Sequence, residues 1–443
     1  DLRMSRGLGD VYKRQFSHCL KLSYKDTAQQ NSYVTIPRAA NSFDNTEIAA
    51  NVDEDIIDSL TGGRLVGSVT SFENFAECPL RYYLRYGVDL KEREEFTFSP
   101  VNFGVVLHAV IREVCDEIKK NGESYYLISE EKRREMVKRS VAAITDIYQN
   151  SILKDSSRNS FMIKRMEDLA DRTIWAMGEQ LKCGDFVPFV FEHKFNMEVG
   201  DGDRKQLMSG TIDRVDICEN GTDVYVRIID YKTGKKDFNI VKTYYGIDIQ
   251  LMVYMEAAMK LVAKMRPGKN VIPAGVFYYN ISDPIVSATT ESADEIEDKI
   301  KGELRLKGMV NSDKDIAEKM DNTEGTSLNI PVSRKADGGF DSRRSKVMNT
   351  EQFNMLGRFV DVRAVDTADR IAGGDIRRSP YKDGQFSSCD RCPYGAVCGF
   401  SVDLPGCNYR KLKKFDDEVL WNNIKEGVDE NGKKMDTGAE ERD

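Results

Sequence analysis

Long apolar runs are missing from this chain. No stretch of 18 or more apolar residues occurs among its 443 residues, which excludes a helical membrane span. A signal-peptide layout is absent from the first residues, which favours the cytoplasm. A polycationic balance is missing too. The formal net charge is −8, so the whole chain carries no overall signal for nucleic acid. Basic residues gather only locally, at Arg133-Arg134, Arg343-Arg344 with Lys346, Arg377-Arg378 and Arg410 to Lys414, and such runs are usually solvated faces. No G-x₄-G-K-[S/T] stretch occurs, so the chain is not expected to hydrolyse ATP itself. Internal repeats are lacking. Nine cysteines, an odd number in a large chain without export signals, argue against a disulfide framework. Metal is the better first expectation.

What is present suffices for a folded core, and the length suggests two or three domains. Residues 1–15, "DLRMSRGLGDVYKRQ", resemble a translated sequencing-adapter scar, and the chain is expected to be a piece of a longer protein. Residues 16–65 are polar, weakly patterned and end in a plausible linker at Gly62-Gly63. A helix then begins at "TSFENFAECPLRYYLRYG", where Thr70 and Glu73 have capping-box spacing and Gly87 is a natural terminator. Inside it, Cys78-Pro79 should break or kink the helix. A second helix should run from Gly104 to Lys120, and residues 129–182 read as a helical insertion. From Phe189 the pattern changes to strands. Residues 243–264 return to helix, 274–281 to strand and 350–372 to helix, whereas 310–348 look loop-like. Strands bracketed by helices make an α/β or α+β fold.

One strand ends in charge. In "VRIIDYKT", the apolar Val226, Ile228 and Ile229 lead into Asp230-Tyr231-Lys232. The preceding "ENGT" (219–222) signals a hairpin with the strand "QLMSGTIDRVDI". A loop of two or four residues around it predicts that Asp213 faces Ile228 and that Asp213 and Asp230 are diagonal neighbours, roughly 7–8 Å apart at Cα. Alternation along the strand gives Asp230 and Lys232 the same face as Asp213. Two carboxylates at the end of an apolar face are costly unless neutralised. Lys232 supplies one positive charge, and oxygen ligands favour Mg²⁺ or Mn²⁺ for the rest. For a D-x-K by itself, a surface ion pair is the better reading. His108, four residues after Gly104, shares that residue's helix face, where a packed core histidine is the ordinary role. Gln250 and Tyr254 share a helix face, and Glu192 lies in a strand expected beside the hairpin.

The cysteines cluster once. Residues 389–398 read C-D-R-C-P-Y-G-A-V-C, a triplet suited to a metal or cluster that needs a fourth ligand. Cys407 is the near candidate and Cys78 the distant one. Spacing alone leaves zinc and iron–sulfur both open.

Taken in order, "SVTSFENFAECPLRYYLRYGVDLKERE", "FGVVLH", "GTIDRVD", "IIDYKTGK", "QLMVY" and "CDRCPYGAVCGF" resemble the RecB-family branch of the PD-(D/E)XK nucleases. More narrowly, with "IPVSRKADGGFDSRRSKVMNTEQF", they are similar to the C-terminal nuclease part of the AddB family. The resemblance covers about residues 66–402, leaving 403–443 as a tail. It implies a restriction-endonuclease-like α/β core with a helical insertion, closed by an iron–sulfur staple. It further implies His108, Asp213 and Asp230 as metal ligands, the Tyr231 carbonyl as another, and Lys232 as the catalytic lysine. Gln250 and Tyr254 would stand near the site and the DNA strand. Cys78, Cys389, Cys392 and Cys398 would hold a 4Fe–4S cluster. The implied activity is Mg²⁺- or Mn²⁺-dependent exonuclease action on double-strand DNA ends and single strands, serving recombinational repair. The implied partner is an AddA-type helicase–nuclease subunit in a heterodimer. The alternatives are a stand-alone RecB-like exonuclease of the CRISPR-adaptation kind, disfavoured by the long insertion, and a non-catalytic DNA-binding scaffold.

Overall fold

The structure is a computed structural model that describes residues 51–53, 55–57, 66–91, 100–147, 157–199, 206–287, 292–403 and 407–440. The expectations for residues 1–50 and for the Gly62-Gly63 linker lie outside the described residues. The main body opens with β1 (Val66–Ser68) and α1 (Val69–Glu77). Ser68 caps α1, its side chain accepting the Ser71 N–H at 3.1 Å. The expected Thr70–Glu73 capping box is therefore not the start of the helix, and Glu73 is left for a more distant partner. Cys78 departs in an extended conformation (φ −167°) and Pro79 opens α2 (Pro79–Tyr82), as a residue without an N–H readily does. The expected break is thus present. A π-helical turn, Tyr83–Gly87, follows.

Three long helices come next: α3 (Pro100–Lys120), α4 (Glu130–Ile147) and α5 (Ser157–Lys182), the last two forming the expected insertion. The strands β2 (Val187–Val199), β3 (Gln206–Asn220) and β4 (Asp223–Lys232) form an antiparallel set. Then come α6 (Ile240–Tyr244), α7 (Gln250–Met265), β5 (Asn270–Asn280) and α8 (Ala293–Glu303). The single helix expected over 243–264 is split, because the chain turns at Gly246, whose φ of +76° glycine adopts without strain. Beyond lie β6 (Lys307–Asn311), α9 (Lys314–Met320), β7 (Val347–Met348) and α10 (Thr350–Ala372), with irregular chain between α9 and β7. The C-terminal part holds β8 (Tyr381–Asp383), β9 (Phe386–Ser387), α11 (Gly395–Cys398), β10 (Arg410–Lys411) and α12 (Asp417–Glu440).

Seven strands make one mixed sheet in the order β1-β3-β4-β5-β6-β7, with β2 on the other edge of β3. The β4–β5 pair is parallel, joined by a crossover through α6 and α7. Helices cover both faces. On one side α3, α4, α5 and α9 bury Val106, Leu107, Ile111 and Met166 against Ile229, Tyr231 and Phe277. On the other, α1, α7, α10 and α12 bury Phe72, Val253, Phe353 and Ile424 against Val215, Val226 and Ile228. Residues Val224 to Tyr231 of β4 are therefore buried in unbroken succession, as expected of a strand covered on both faces. The segment read as a C-terminal tail packs on this core through Leu420 and Ile424. Among the described residues no helix is long and apolar enough to cross a membrane.

Candidate active site

The β3–β4 hairpin turns at Gly221 and Thr222, so that Asn220 pairs with Asp223 and Arg214 with Ile229. This register is two places from the one expected. Asp213 stands not opposite Ile228 but one place beyond the last ladder pair, level with Asp230. A shift by an even number leaves every side chain on its face, so both carboxylates still point to the same end of the sheet. There the Tyr231 N–H donates to Asp213 Oδ2 at 2.6 Å. That bond fixes one oxygen of Asp213 and turns the other, Oδ1, toward His108 Nδ1 at 3.4 Å.

His108 lies near the start of α3, and a second acid meets it from β2. Glu192 Oε1 is 3.6 Å from His108 Nδ1. The Glu192 backbone is left-handed (φ 47°), a conformation that costs a non-glycine residue about 1 kcal/mol or more and occurs here beside a register shift at Pro188/Val190. One ligand atom each from His108, Glu192 and Asp213 lie within 4.8 Å of one another. One nitrogen and two carboxylates at that spacing suit a divalent cation of the Mg²⁺ or Mn²⁺ kind. Burial opposes a charge on His108, but its hydrogen bonds to Asp213 and Glu192 prevail and lift it to about 10.

A second string of polar groups continues from Asp230. Its carboxyl is pushed up to about 7, first by burial and then by the charge of Asp213, against the pull of Lys232. Asp230 and Lys232 form an ion pair. Lys232 Nζ also donates to Gln250 Oε1 at 2.9 Å, and Gln250 Nε2 donates to the Tyr254 hydroxyl at 2.9 Å. Gln250 and Tyr254, one turn apart on α7, thus reach the same place as the lysine at the end of β4. The Tyr231 ring lies on the opposite face, edge-on to His108 with centroids 6.0 Å apart.

The cysteines meet elsewhere. Cys78, Cys389, Cys392 and Cys398 all line one small pocket, with Leu80, Leu84, Pro380 and Phe400 around them. Burial raises the Cys78 and Cys398 thiols and pushes Cys389 up to about 11. Cys407 is buried but does not line this pocket.

A family profile described as the PD-(D/E)XK nuclease superfamily matches residues 67–399. The chain belongs to the PD-(D/E)XK nuclease superfamily. It is similar to an ATP-dependent helicase/deoxyribonuclease subunit of Thermoanaerobacter sp. (strain X514), 33% identical over 380 residues that make 83% of this chain and 33% of the relative. The proteins of the same name in Clostridium acetobutylicum and Lachnoclostridium phytofermentans are each 34% identical, over 84% and 88% of this chain and 33% and 34% of the relatives. This nuclease chain spans about a third of the length of the curated relatives it matches.

The structure gathers the residues singled out by sequence into two places. His108, Asp213, Asp230, Lys232, Gln250 and Tyr254 share one end of the sheet, and four cysteines share the pocket. Around the first place it adds groups that the motifs did not single out. Glu192 completes the His108–Asp213 group. Glu73 and the Lys236–Asp248 pair (3.0 Å) lie behind Lys232, where Tyr278 donates to Asp248 at 2.6 Å and Lys236 sits 4.5 Å from the Tyr278 ring centroid. Only the buried setting of Glu73 reveals it, since its spacing from Thr70 pointed to a local cap. Two of the basic runs are internal supports: Arg133 pairs with Asp171 at 2.7 Å and Arg377 with Asp375 at 2.6 Å.

Proposed function

We propose that this chain is the nuclease portion of a helicase–nuclease subunit, hydrolysing DNA phosphodiesters with Mg²⁺ or Mn²⁺ at the end of the β3–β4 hairpin. The observation that carries the reading is the grouping of His108, Glu192 and Asp213 within 4.8 Å, beside the Asp230–Lys232 pair. His108, Glu192, Asp213 and Asp230 would hold the cation, with the Tyr231 carbonyl as a further ligand. A bound divalent cation supplies Lewis acidity toward the phosphate and lowers the pKa of attacking water.

The chain's own groups do the rest. Lys232 holds a proton donor at the reacting phosphate, where negative charge develops and a preorganised cation is worth most. Gln250 accepts from Lys232 and so aims its ammonium, while Tyr254 fixes the Gln250 amide. Asp230 resists ionising in the absence of counter-charge, which suits a carboxylate that a cation is meant to neutralise.

The cysteine pocket is proposed to hold a 4Fe–4S cluster through Cys78, Cys389, Cys392 and Cys398. The support for this ligand set is that residues some 300 positions apart in sequence line one pocket, with Cys78 meeting the triplet there. Four thiolates complete the coordination that the triplet by itself leaves short. The name of the relatives, a helicase/deoxyribonuclease subunit, supports double-strand ends and single strands as substrate, an AddA-type motor as partner and a cytoplasmic setting. The test is digestion of end-labelled single-stranded DNA by the purified chain with Mg²⁺, with Mn²⁺ and with chelator. Metal-dependent cleavage that Asp230→Ala abolishes supports the reading. Cleavage undiminished in that variant overturns it.

A further inference from the structure

Helix α7 carries Gln250 and Tyr254 at its start, yet its own sequence does not cap it. The residue at its N-cap is Ile249, which has no side-chain hydrogen bond to offer. The missing acceptor comes from 176 residues upstream. Glu73 Oε1 accepts the Ile249 N–H at 2.9 Å and the Gln250 N–H at 3.0 Å. A carboxylate is the group a helix N-terminus favours, because the first N–H groups lack partners and the macrodipole is positive there. Glu73 sits mid-way along α1, whose C-cap is Cys78, a wall of the cysteine pocket.

Four links follow in space. The cysteine pocket anchors the end of α1, α1 presents Glu73, Glu73 caps α7, and the first residue of α7 holds Lys232 at 2.9 Å. The cysteine pocket and the charged end of the sheet are joined through this side chain.

We propose that Glu73 is a positioning residue for the catalytic lysine: it caps α7 across the sequence and thereby ties the aim of Lys232 to the integrity of the cysteine pocket. This rests on the reading of Lys232 as the catalytic lysine. Its consequence is that the pocket governs turnover without touching substrate. The surroundings of the carboxylate agree. Burial pushes Glu73 up to about 7, while the charges of Lys236 and Lys232 favour its ionised form and that of Asp248 opposes it. Desolvated among two lysines and an aspartate, the group has one evident use, the two N–H bonds.

The role differs from plain support of the fold in what each variant should do. Glu73→Gln keeps a carbonyl able to accept both N–H bonds, whereas Glu73→Ala removes the acceptor. The tests use the full chain with Mn²⁺ and labelled single-stranded DNA, alongside hydrogen exchange of the peptide spanning residues 247–254. Glu73→Ala should lower kcat at least tenfold with KM within about twofold, and Glu73→Gln should restore most of the loss. Combining Glu73→Ala with Gln250→Ala should cost no more than the worse single variant, because both act through one hydrogen bond to Lys232. Exchange at 247–254 should quicken about tenfold in Glu73→Ala while the β3–β4 hairpin keeps its protection.

Additive losses in the double variant, or unchanged exchange at 247–254, overturn the proposal. Should the wild-type chain not cleave DNA at all while exchange at 247–254 still quickens, the cap stands, and it is the nuclease reading, with the link to Lys232, that is overturned.

Discussion

Asp213 and Tyr231 are joined by a hydrogen bond of 2.6 Å from the Tyr231 N–H to Asp213 Oδ2. Strand β4 thereby gives a backbone donor to a side chain of β3 at the point where the ladder stops. One Asp213 oxygen is committed to the scaffold and the other faces His108 at 3.4 Å. A ligand held this way is preorganised, so His108 and Glu192 need not reorganise it when a cation arrives.

Glu192 should therefore matter to metal binding as much as the aspartates do. Its left-handed backbone brings the carboxylate to His108 at a local cost, and such strain is retained where function uses it. Glu192→Gln is expected to weaken Mn²⁺ binding, measured by calorimetry, by roughly 10–100-fold. Wild-type affinity in this variant would return Glu192 to the status of an edge charge.

His108 separates two roles in one measurement. If it is a ligand, His108→Ala lowers Mn²⁺ affinity and cleavage while the melting temperature of the metal-free protein changes little. If it is a packing residue, the melting temperature falls and the affinity holds. The half-exposed position of the ring, with Nδ1 aimed at two carboxylates, favours the first outcome.

The pH dependence of the metal-free protein has a definite sign. Asp230 is held at about 7, above its ordinary value, by burial first and by Asp213 second. A carboxyl raised by folding contributes stability that is whole below its unfolded pKa of about 3.9 and is lost as the pH rises through the folded value. Melting temperature should therefore fall between about pH 5 and pH 8 without metal. Asp230→Asn should shallow that fall, and added Mn²⁺ should reverse it. An equally steep fall in the variant would assign the effect to other groups, such as Glu73, also raised to about 7 by burial.

Much of this site was legible in the sequence because period-two alternation survives an even register error. The hairpin turned two places from where "ENGT" suggested, yet Asp213, Asp230 and Lys232 kept their common face. The break at Cys78-Pro79 was legible because proline forbids a continuous helix there. Glu73 was not, since a cap given to a helix 176 residues away leaves no local spacing to read. The buried Arg214–Asp216–Arg227 group was equally hidden. Asp216 accepts from Arg214 at 2.6 and 2.7 Å and from Arg227 at 2.8 Å beneath the α3–α5 layer, where charged letters in a strand would suggest an exposed face.

The cysteine pocket yields the last prediction. Cys78 precedes every strand of the hairpin and Cys389, Cys392 and Cys398 follow all of the main sheet, so a shared cluster would close a loop of roughly 300 residues. By the loop-entropy relation used for disulfides, such closure restricts the unfolded chain by about 5 kcal/mol, an upper figure because strain and residual structure reduce it. Hydrolysis needs no electron transfer, so the cluster's role is structural. Anaerobically purified protein should be brown and carry about four irons. Cys78→Ala should lose the iron and melt at a markedly lower temperature. It should also lose cleavage out of proportion to the folded fraction, because α1 would no longer hold its end of the link to α7. A colourless protein with one zinc would replace the cofactor and keep the staple. Iron retained in Cys78→Ala would instead move the fourth ligand to Cys407, which is buried outside the pocket in this structure.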